Sequence, residues 1–153
     1  MHTEPVISIN FVDGAVDVPK HSVLPALGCG GECLFVGRTR PEHHEQHGEL
    51  VELKYECYQT MAATLLEQFA NEAHARFKTK AINISHSIGR VPVNAASVVI
   101  AVACNHRDSA FLACRFLIDS IKSEVPVWKQ EVWTNGITWS NDTILPLGNP
   151  VPK

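Results

Sequence analysis

The stretch VPVWKQEVWTNGITWS, residues 125–140, carries the clearest indication of the fold. Pro126 cannot continue a helix and therefore ends the helix that precedes it. Val127–Trp133 is predicted to be a strand, Asn135-Gly136 is a strong signal for a hairpin turn, and residues 137–140 return as a second strand. Because hairpin partners run antiparallel, this segment predicts an antiparallel sheet.

Two amphipathic helices are predicted upstream of this hairpin. The first helix begins near residue 60, where apolar side chains recur at three- and four-residue spacing: Met61, Leu65, Leu66, Phe69, Ala70, Ala73 and Phe77. The second is expected to begin near Asp108 or Ser109, either of which is a good N-cap. Its apolar face consists of Ala110, Phe111, Cys114, Leu117, Ile118 and Ile121.

The remaining segments complete the predicted order of elements. Further strands are expected at Val6–Val12 and at residues 32–38, 50–55, 81–86 and 97–104. We also expect a short helix within 17–27, a polar, solvated loop at 41–48, and a turn with an irregular edge at 89–93. Strands outnumber helices and do not alternate evenly with them. The predicted fold class is therefore α+β, with a mainly antiparallel sheet and two main helices.

Length and charge limit the function classes. The chain of 153 residues suits one domain over residues 1–144, followed by an extended tail over 145–153 that holds three prolines and a glycine. Lys and Arg total 13 against 16 Asp and Glu, so the net charge of −3 argues against non-specific nucleic-acid binding. No apolar run approaches the roughly 20 residues that span a bilayer.

The cysteines and the N-terminal residues predict a cytosolic protein. The five cysteines are an odd number without a CxxC pair, which indicates reduced thiols and argues against a zinc site. Cys104 and Cys114 are expected to fill the core. Residues 1–20 contain acidic side chains, no arginine and no long apolar stretch, unlike a transit or signal peptide.

The pair His106-Arg107 precedes the second helix. Free backbone N–H groups at a helix N-terminus favour an anion, and arginine adds bidentate recognition of phosphate. The alternative is that Arg107 pairs with a nearby carboxylate and that His106 is a polar surface residue.

Two lysines also allow two interpretations. Arg115, Asp119 and Lys122 form a stripe at spacings of four and three, so Lys122 belongs either to a solvated ion-pair ladder or to the mouth of a pocket. Lys129 and Glu131 share one face of the strand that follows. That face is either the outer side of a sheet or the wall of a cleft.

Arginines and histidines follow the strand at 32–38. Arg38 and Arg40 share a face at its end, where they could hold a phosphate or protect a sheet edge. His43, His44 and His47 fit no strong metal-ligand spacing, and their loop would not hold ligands rigidly. We therefore predict no metal site there.

Taken in order, these segments resemble the large (catalytic) subunit of molybdopterin synthase. The resemblance covers roughly residues 29 to 140, and its most specific block is Val125-Pro126-Val127-Trp128-Lys129-Gln130-Glu131. The other blocks are Phe35-Val36-Gly37-Arg38-Thr39-Arg40, Leu53-Lys54-Tyr55-Glu56-Cys57-Tyr58 with Met61-Ala62, His86-x-Ile88-Gly89, Asn105-His106-Arg107 with Ala110-Phe111, and Ile118-Asp119-x-x-Lys122.

The resemblance implies an α/β-hammerhead fold and a homodimer at the centre of a heterotetramer. At each end a small ubiquitin-like subunit would dock, with a C-terminal Gly-Gly that carries a thiocarboxylate. That tail would donate sulfur to cyclic pyranopterin monophosphate, and two transfers would build the dithiolene of molybdopterin. The large subunit would require neither a metal nor another cofactor.

The resemblance also assigns roles to the lysines. Lys122 would be the lysine beside the thiocarboxylate terminus, and Lys129 its catalytic companion. Sulfur attack requires proton transfers and the stabilisation of negative charge, which two lysines could supply. Glu131, on the face of Lys129, would orient or balance it.

The remaining residues that the resemblance implies bind substrate. Arg40, His106 and Arg107 match anion-binding positions, with Arg38 beside them, and the apolar wall consists of Phe35 and Ile118. Phe35 and Arg40 have opposite strand parity, so Gly37 or the loop after it must redirect the chain.

The sequence departs from the family pattern in two places. Ser87 stands where the family usually has an arginine, and no Lys or Arg lies between Lys129 and Lys153. The phosphate would then depend more on Arg40 and Arg107, or on the dimer partner. A non-catalytic scaffold that docks the ubiquitin-like sulfur carrier is the alternative function, and retention of both lysines argues against it.

Overall fold

The computed structural model describes residues 4–25 and 27–140. Within them lie two helices and nine strands, in the order β1 (Val6–Val12), β2 (Gly31–Arg38), β3 (His43–His44), β4 (Gly48–Cys57), α1 (Gln59–Phe77), β5 (Ala81–Ser87), β6 (Arg90–Pro92), β7 (Ala96–Cys104), α2 (Arg107–Glu124), β8 (Val127–Trp133) and β9 (Gly136–Trp139). The α+β class with two main helices is confirmed. The predicted tail at 145–153 lies outside the described residues.

The first sheet has the strand order β1-β5-β7-β2. Only β1 runs parallel to its neighbour β5, and the other pairs are antiparallel. Every residue of β7 is buried, because the strand is central and apolar and the helices pack against its sheet. The first sheet and the two helices therefore enclose the main core.

The second sheet has the order β3-β4-β8-β9, and β6 pairs with β4. The hairpin predicted from residues 125–140 is confirmed, since β8 and β9 pair antiparallel. Its turn is displaced by one residue: Trp133 pairs with Gly136, so the turn residues are Thr134 and Asn135. Gly136 opens β9 at φ +155°, where a Cβ would lie 2.5 Å from Nδ1 of His47.

The helix predicted within residues 17–27 is wrong, because the described residues of this segment contain no helix. Pro19 and Pro25 lack the N–H that a helix needs and restrict the residues before them. The segment instead borders the outer strand β2, where residues 19–24 and β2 enclose a shallow groove.

Three predicted boundaries also need correction. Helix α2 begins at Arg107, with His106 in extended conformation as its N-cap and without a side-chain cap, because the chain enters the helix directly from β7. The predicted loop at 41–48 contains strand β3, and the predicted turn at 89–93 contains strand β6.

In the described residues, no helix is both long and apolar enough to cross a membrane.

Candidate functional site

Two connected hollows lie where the two sheets meet the C-terminal end of α2. The wider one, the outer cleft, has a volume of about 560 Å³, and the narrower one, the inner cavity, has about 60 Å³. Five residues line both hollows, which therefore form one site: Tyr55, Ser97, Val98, Lys122 and Lys129.

The two lysines reach this site from different elements. Lys122 lies in the last turn of α2, the helix ends at Glu124, and β8 turns back from Val127. Because the chain reverses here, Lys129 on β8 lines the same hollow as Lys122. The ion pair of the helix stripe joins Arg115 to Asp119 at 3.5 Å and does not include Lys122. Of the two interpretations of Lys122, the structure favours the pocket.

The outer cleft contains four more of the predicted residues: Phe35, Arg38, Arg40 and Glu131. Phe35 and Arg40 reach one cleft because the β2–β7 register shifts between Gly37 and Arg38, which confirms the expected redirection of the chain. A Cβ at Gly37 would lie 2.6 Å from Cγ1 of Val98, so the Val98 side chain occupies the space that a larger residue would need.

The two cleft arginines differ in how firmly they are held. The Arg38 Nη1 donates a hydrogen bond of 2.7 Å to the carbonyl oxygen of Asn94, which ties Arg38 to the turn between β6 and β7. Arg40 is largely exposed and lies 3.6 Å from the carboxylate of Glu42. Arg40 is thus the freer cation of the two.

Ile118 lines the inner cavity rather than the outer cleft. It shares an apolar wall with Ile121, Val125 and Val127. The two residues of the predicted apolar wall therefore separate, with Phe35 in the outer cleft and Ile118 in the inner cavity.

His86 is a residue of this site to which sequence reasoning gave no role. It lines the inner cavity, is 8% exposed, and makes an edge contact with the Tyr55 ring at 5.6 Å between centroids. Its Nδ1 lies 2.7 Å from the carbonyl oxygen of Ser87. Burial lowers the pKa of His86, the bond to Ser87 opposes that shift, and the positive charges of Lys122 and Lys129 add to it. The available signals were a lone histidine in an apolar strand and its place in the block His86-x-Ile88-Gly89.

His106 and Arg107 do not join this site within one chain. They stand at the exposed N-terminus of α2, whereas Lys122 lies in its last turn. At 1.5 Å per residue, Arg107 and Lys122 are separated by about 22 Å along the helix axis. The structure therefore brings together Phe35, Arg38, Arg40, Ile118, Lys122, Lys129 and Glu131, but neither His106 nor Arg107.

Ser87 has a structural place next to the site. Its hydroxyl donates to the carbonyl oxygen of Gly14 at 2.6 Å and accepts from the Gly89 N–H at 3.2 Å. The side chain is 1% exposed. Ser87 therefore closes a turn and supplies no substitute for an arginine in the cleft.

Most of the 41–48 segment is exposed, as expected of a solvated segment, but His44 and His47 pack against the β8–β9 hairpin. His44 lies 4.5 Å from His47 and 5.2 Å from Trp133 between ring centroids, and His43 pairs with Glu49. His43 and His44 form strand β3 by pairing with Glu49 and Gly48 of β4. Across the described ranges 4–25 and 27–140, no group of three His, Cys, Asp or Glu residues could hold a metal ion.

The two core cysteines are buried as predicted. Burial, with a smaller effect of Cys29, raises the pKa of Cys104 to about 11. Burial, with a smaller effect of Cys33, raises the pKa of Cys114 to about 12. Neither thiol is a thiolate nucleophile at neutral pH.

Sequence comparisons point to one family. The family model described as MoaE protein matches residues 12–124, which include Lys122 and end before Lys129. A molybdopterin synthase catalytic subunit from Arabidopsis thaliana is 38% identical over 129 residues, 84% of this chain. The chain spans 64% of the length of that relative. The human catalytic subunit is 32% identical over 140 residues, 92% of this chain and 73% of the relative.

Solved structures share the fold. Molybdopterin synthase from Staphylococcus aureus superposes with a TM-score of 0.75 at 28% identity, covering 92% of this chain and 99% of that one. A complex of subunits 1 and 2 of molybdopterin-converting factor from Helicobacter pylori gives a TM-score of 0.72 at 20% identity, covering 91% and 94%. The expected α/β-hammerhead type is thereby confirmed.

Proposed function

This chain belongs to the MoaE protein family, and from that premise we propose that it is the catalytic subunit of a molybdopterin synthase. The reaction transfers sulfur from the C-terminal thiocarboxylate of a small ubiquitin-like subunit to cyclic pyranopterin monophosphate, and it forms the dithiolene of molybdopterin. The observation that carries the proposal is the convergence of Lys122 and Lys129 on the outer cleft and inner cavity.

The charges of the site suit two anionic reactants. The substrate brings a cyclic phosphate and the small subunit a thiocarboxylate, whereas Lys122, Lys129 and Arg40 line the outer cleft. Opposite unit charges about 4 Å apart attract by about 1 kcal/mol in bulk water and by several-fold more near a protein surface. A chain of net charge −3 therefore has a local region that attracts anions.

The dimensions of the two hollows suggest where each reactant lies. About 560 Å³ falls within the usual range for small-molecule sites, so the pterin occupies the outer cleft. The inner cavity of about 60 Å³ is too small for a pterin. The terminal group of the tail meets the substrate where both hollows share Lys122 and Lys129.

The remaining cleft residues take supporting roles in this proposal. Glu131 lies two residues from Lys129 on the cleft side of β8, where it balances and orients the lysine. Arg38 keeps its bond to the Asn94 carbonyl oxygen and presents its remaining N–H groups to the phosphate. Phe35 gives the outer cleft an apolar wall, and Ile118 does the same for the inner cavity.

His106 and Arg107 enter the proposal through a second copy of the chain. Within one chain they lie too far from the lysines to touch the same substrate, so a homodimer must bring them to the partner's cleft. We extend to this chain the pairing of two different subunits that the Helicobacter pylori structure is named for. The assembly is then a heterotetramer with a homodimer core, located in the cytosol, where the free cysteines stay reduced.

The test is dithiolene formation by the purified protein, mixed with a thiocarboxylated small subunit and the pterin substrate. Lys122→Ala removes one cation that faces the developing negative charge. We expect the rate to fall by about 10²- to 10³-fold, the usual effect of losing one such electrostatic contact. The matched control is Lys20→Ala, at an exposed position outside both hollows.

The outcomes separate the possible failures. No dithiolene with the wild-type protein would reject the catalytic function and favour the scaffold that only docks the sulfur carrier. Undiminished turnover by Lys122→Ala, with wild-type folding, would reject the role of Lys122 alone.

A further inference from the structure

The inner cavity has the size and lining of a water site. Its volume of about 60 Å³ exceeds several-fold the roughly 10–15 Å³ that one water molecule requires. Its polar lining comes from Tyr55, His86, Ser97, Lys122 and Lys129, and a buried water needs two to four such partners. The cavity adjoins the outer cleft through both lysines, so water held there lies beside the reacting groups.

His86 presents a basic nitrogen to this cavity. A carbonyl oxygen can only accept, so the short contact with Ser87 requires the hydrogen on Nδ1. The other ring nitrogen, Nε2, then carries a free lone pair, and no hydrogen bond links it to another residue in 4–25 or 27–140. The side chain is thus held in one tautomer, with its acceptor available for a water molecule.

The surroundings of His86 keep it neutral. On the strands either side, Phe11 of β1 and Val98 of β7 pair with it and carry no charge. The titratable groups that face it across the cavity are Tyr55, Lys122 and Lys129. Burial and the two ammonium groups lower its pKa from 6.5, so the imidazole is a free base at neutral pH.

The proposed reaction requires a water molecule at this place. When the thiocarboxylate sulfur bonds to a substrate carbon, the tail's carbonyl carbon remains attached to the same sulfur as a thioester. The small subunit leaves only when that acyl–sulfur bond is cleaved. On the basis of the proposed function, we propose that His86 is the general base for the inner-cavity water that cleaves this thioester.

The step balances without a further reagent. Nε2 of His86 takes one proton as the water oxygen bonds to the thioester carbonyl carbon. The acyl–sulfur bond then breaks, the sulfur stays on the pterin as a thiolate, and the tail becomes a carboxylic acid that loses its own proton. The imidazolium returns its proton to solvent, while Lys122 and Lys129 stabilise the oxyanion and the departing thiolate.

The experiment is a single turnover followed by the intact mass of the small subunit. His86→Asn retains an amide N–H near the position of Nδ1 for the Ser87 carbonyl, but it has no base. We expect the covalent adduct of small subunit and pterin to form at close to the wild-type rate and to decay about 10²- to 10³-fold more slowly. Hydroxylamine, a nucleophile that needs no general base, should release the accumulated adduct as a hydroxamate.

Two comparisons complete the design. His86→Gln is the second variant, and His21→Gln, at an exposed position outside both hollows, is the matched control. Thermal unfolding confirms that each variant folds. If neither His86 variant folds, ¹⁵N spectra of the wild-type histidines test the tautomer, and an Nε2-protonated His86 would overturn the proposal.

The possible failures are distinguishable. No sulfur transfer by the wild-type protein would overturn the proposed function and this inference with it. Normal transfer by the wild-type protein, with equally fast adduct decay in His86→Asn, would overturn the role of His86 alone. In H₂¹⁸O, the released small subunit should gain one ¹⁸O in its carboxylate; a carboxylate without ¹⁸O would exclude the hydrolytic step.

Discussion

The two ends of helix α2 differ in what they contact. At the C-terminal end Leu117 and Ile118 are buried, and Lys122 borders the outer cleft and the inner cavity. At the N-terminal end His106 and Arg107 project from the fold, and Phe111 and Leu112 are 60% and 55% exposed. Ala110, Ala113 and Cys114 are buried as well, so the two ends differ in that the C-terminal end borders the two hollows and the N-terminal end carries large exposed apolar side chains.

The contrast has a structural cause. Both halves of α2 pack one face against the main core, and near the C-terminal end Ile118, Ile121 and Val125 border the inner cavity beside Lys122. The N-terminus is approached mainly by backbone: the Gly30 N–H donates to the carbonyl oxygen of Asn105 at 3.1 Å, and a Cβ at Gly31 would lie 3.0 Å from the Arg107 backbone. Among the described residues, His106 and Arg107 line neither hollow, and under the proposed function a second copy of the chain would bring them to a cleft.

The largest expected effect is the recovery of activity when two inactive variants are mixed. It tests whether a second copy of the chain supplies Arg107 to the cleft. Lys122→Ala and Arg107→Ala each damage every site of their own homodimer. In a mixed dimer, one site combines the intact Lys122 of one copy with the intact Arg107 of the other. After random subunit exchange, about one quarter of wild-type dithiolene formation should return.

The control is a mixture of Lys122→Ala with Lys129→Ala. Both lysines belong to one chain's cleft, so every site in the mixed dimer lacks one of them, and no activity should return. Equal recovery in both mixtures, or none in either, would contradict the assignment of Arg107 to the partner's cleft.

A smaller effect is expected from the same substitution, leucine to alanine, made at a buried and at an exposed position of α2. Leu117→Ala, at a fully buried position, should lower the free energy of unfolding by about 2–5 kcal/mol. Leu112→Ala, at an exposed position of the same helix, should change it by no more than about 0.5 kcal/mol. Urea unfolding measures both. An equal loss for Leu112→Ala would indicate that the N-terminal face is covered in solution.

Local patterns predicted the elements on which this contrast rests. The residues 125–140 specify a helix end, a strand and a hairpin through neighbours in sequence, and all three are present. The periodic apolar residues likewise located both helices. Lys122 and Lys129 could be paired in advance because the resemblance covers both, and their common cleft follows from the reversal of the chain after α2.

The errors arise where tertiary contacts decide. A short helix is predicted within 17–27, but two prolines and a position beside β2 exclude it. The sequence places His106 and Arg107 before the predicted second helix and Lys122 near its end, but it does not show that the two ends of that helix line different parts of the fold. The role of His86 depends on the Ser87 carbonyl and on two distant lysines, which no local pattern contains.

The smallest expected effect is on the stability of the protein in acid, and it arises from His86 in the inner cavity. The pKa of His86 lies below its unfolded value of 6.5, so below that pH the unfolded chain binds a proton that the folded chain does not. Stability should therefore fall as the pH drops below 6.5, by at most about 1.4 kcal/mol per pH unit for one proton. Urea midpoints in neutral and mildly acidic buffers measure this slope. His86→Asn should flatten this slope, because burial and, to a smaller extent, the charges of Lys122 and Lys129 lower the pKa of His86; an unchanged slope in His86→Asn would contradict this origin.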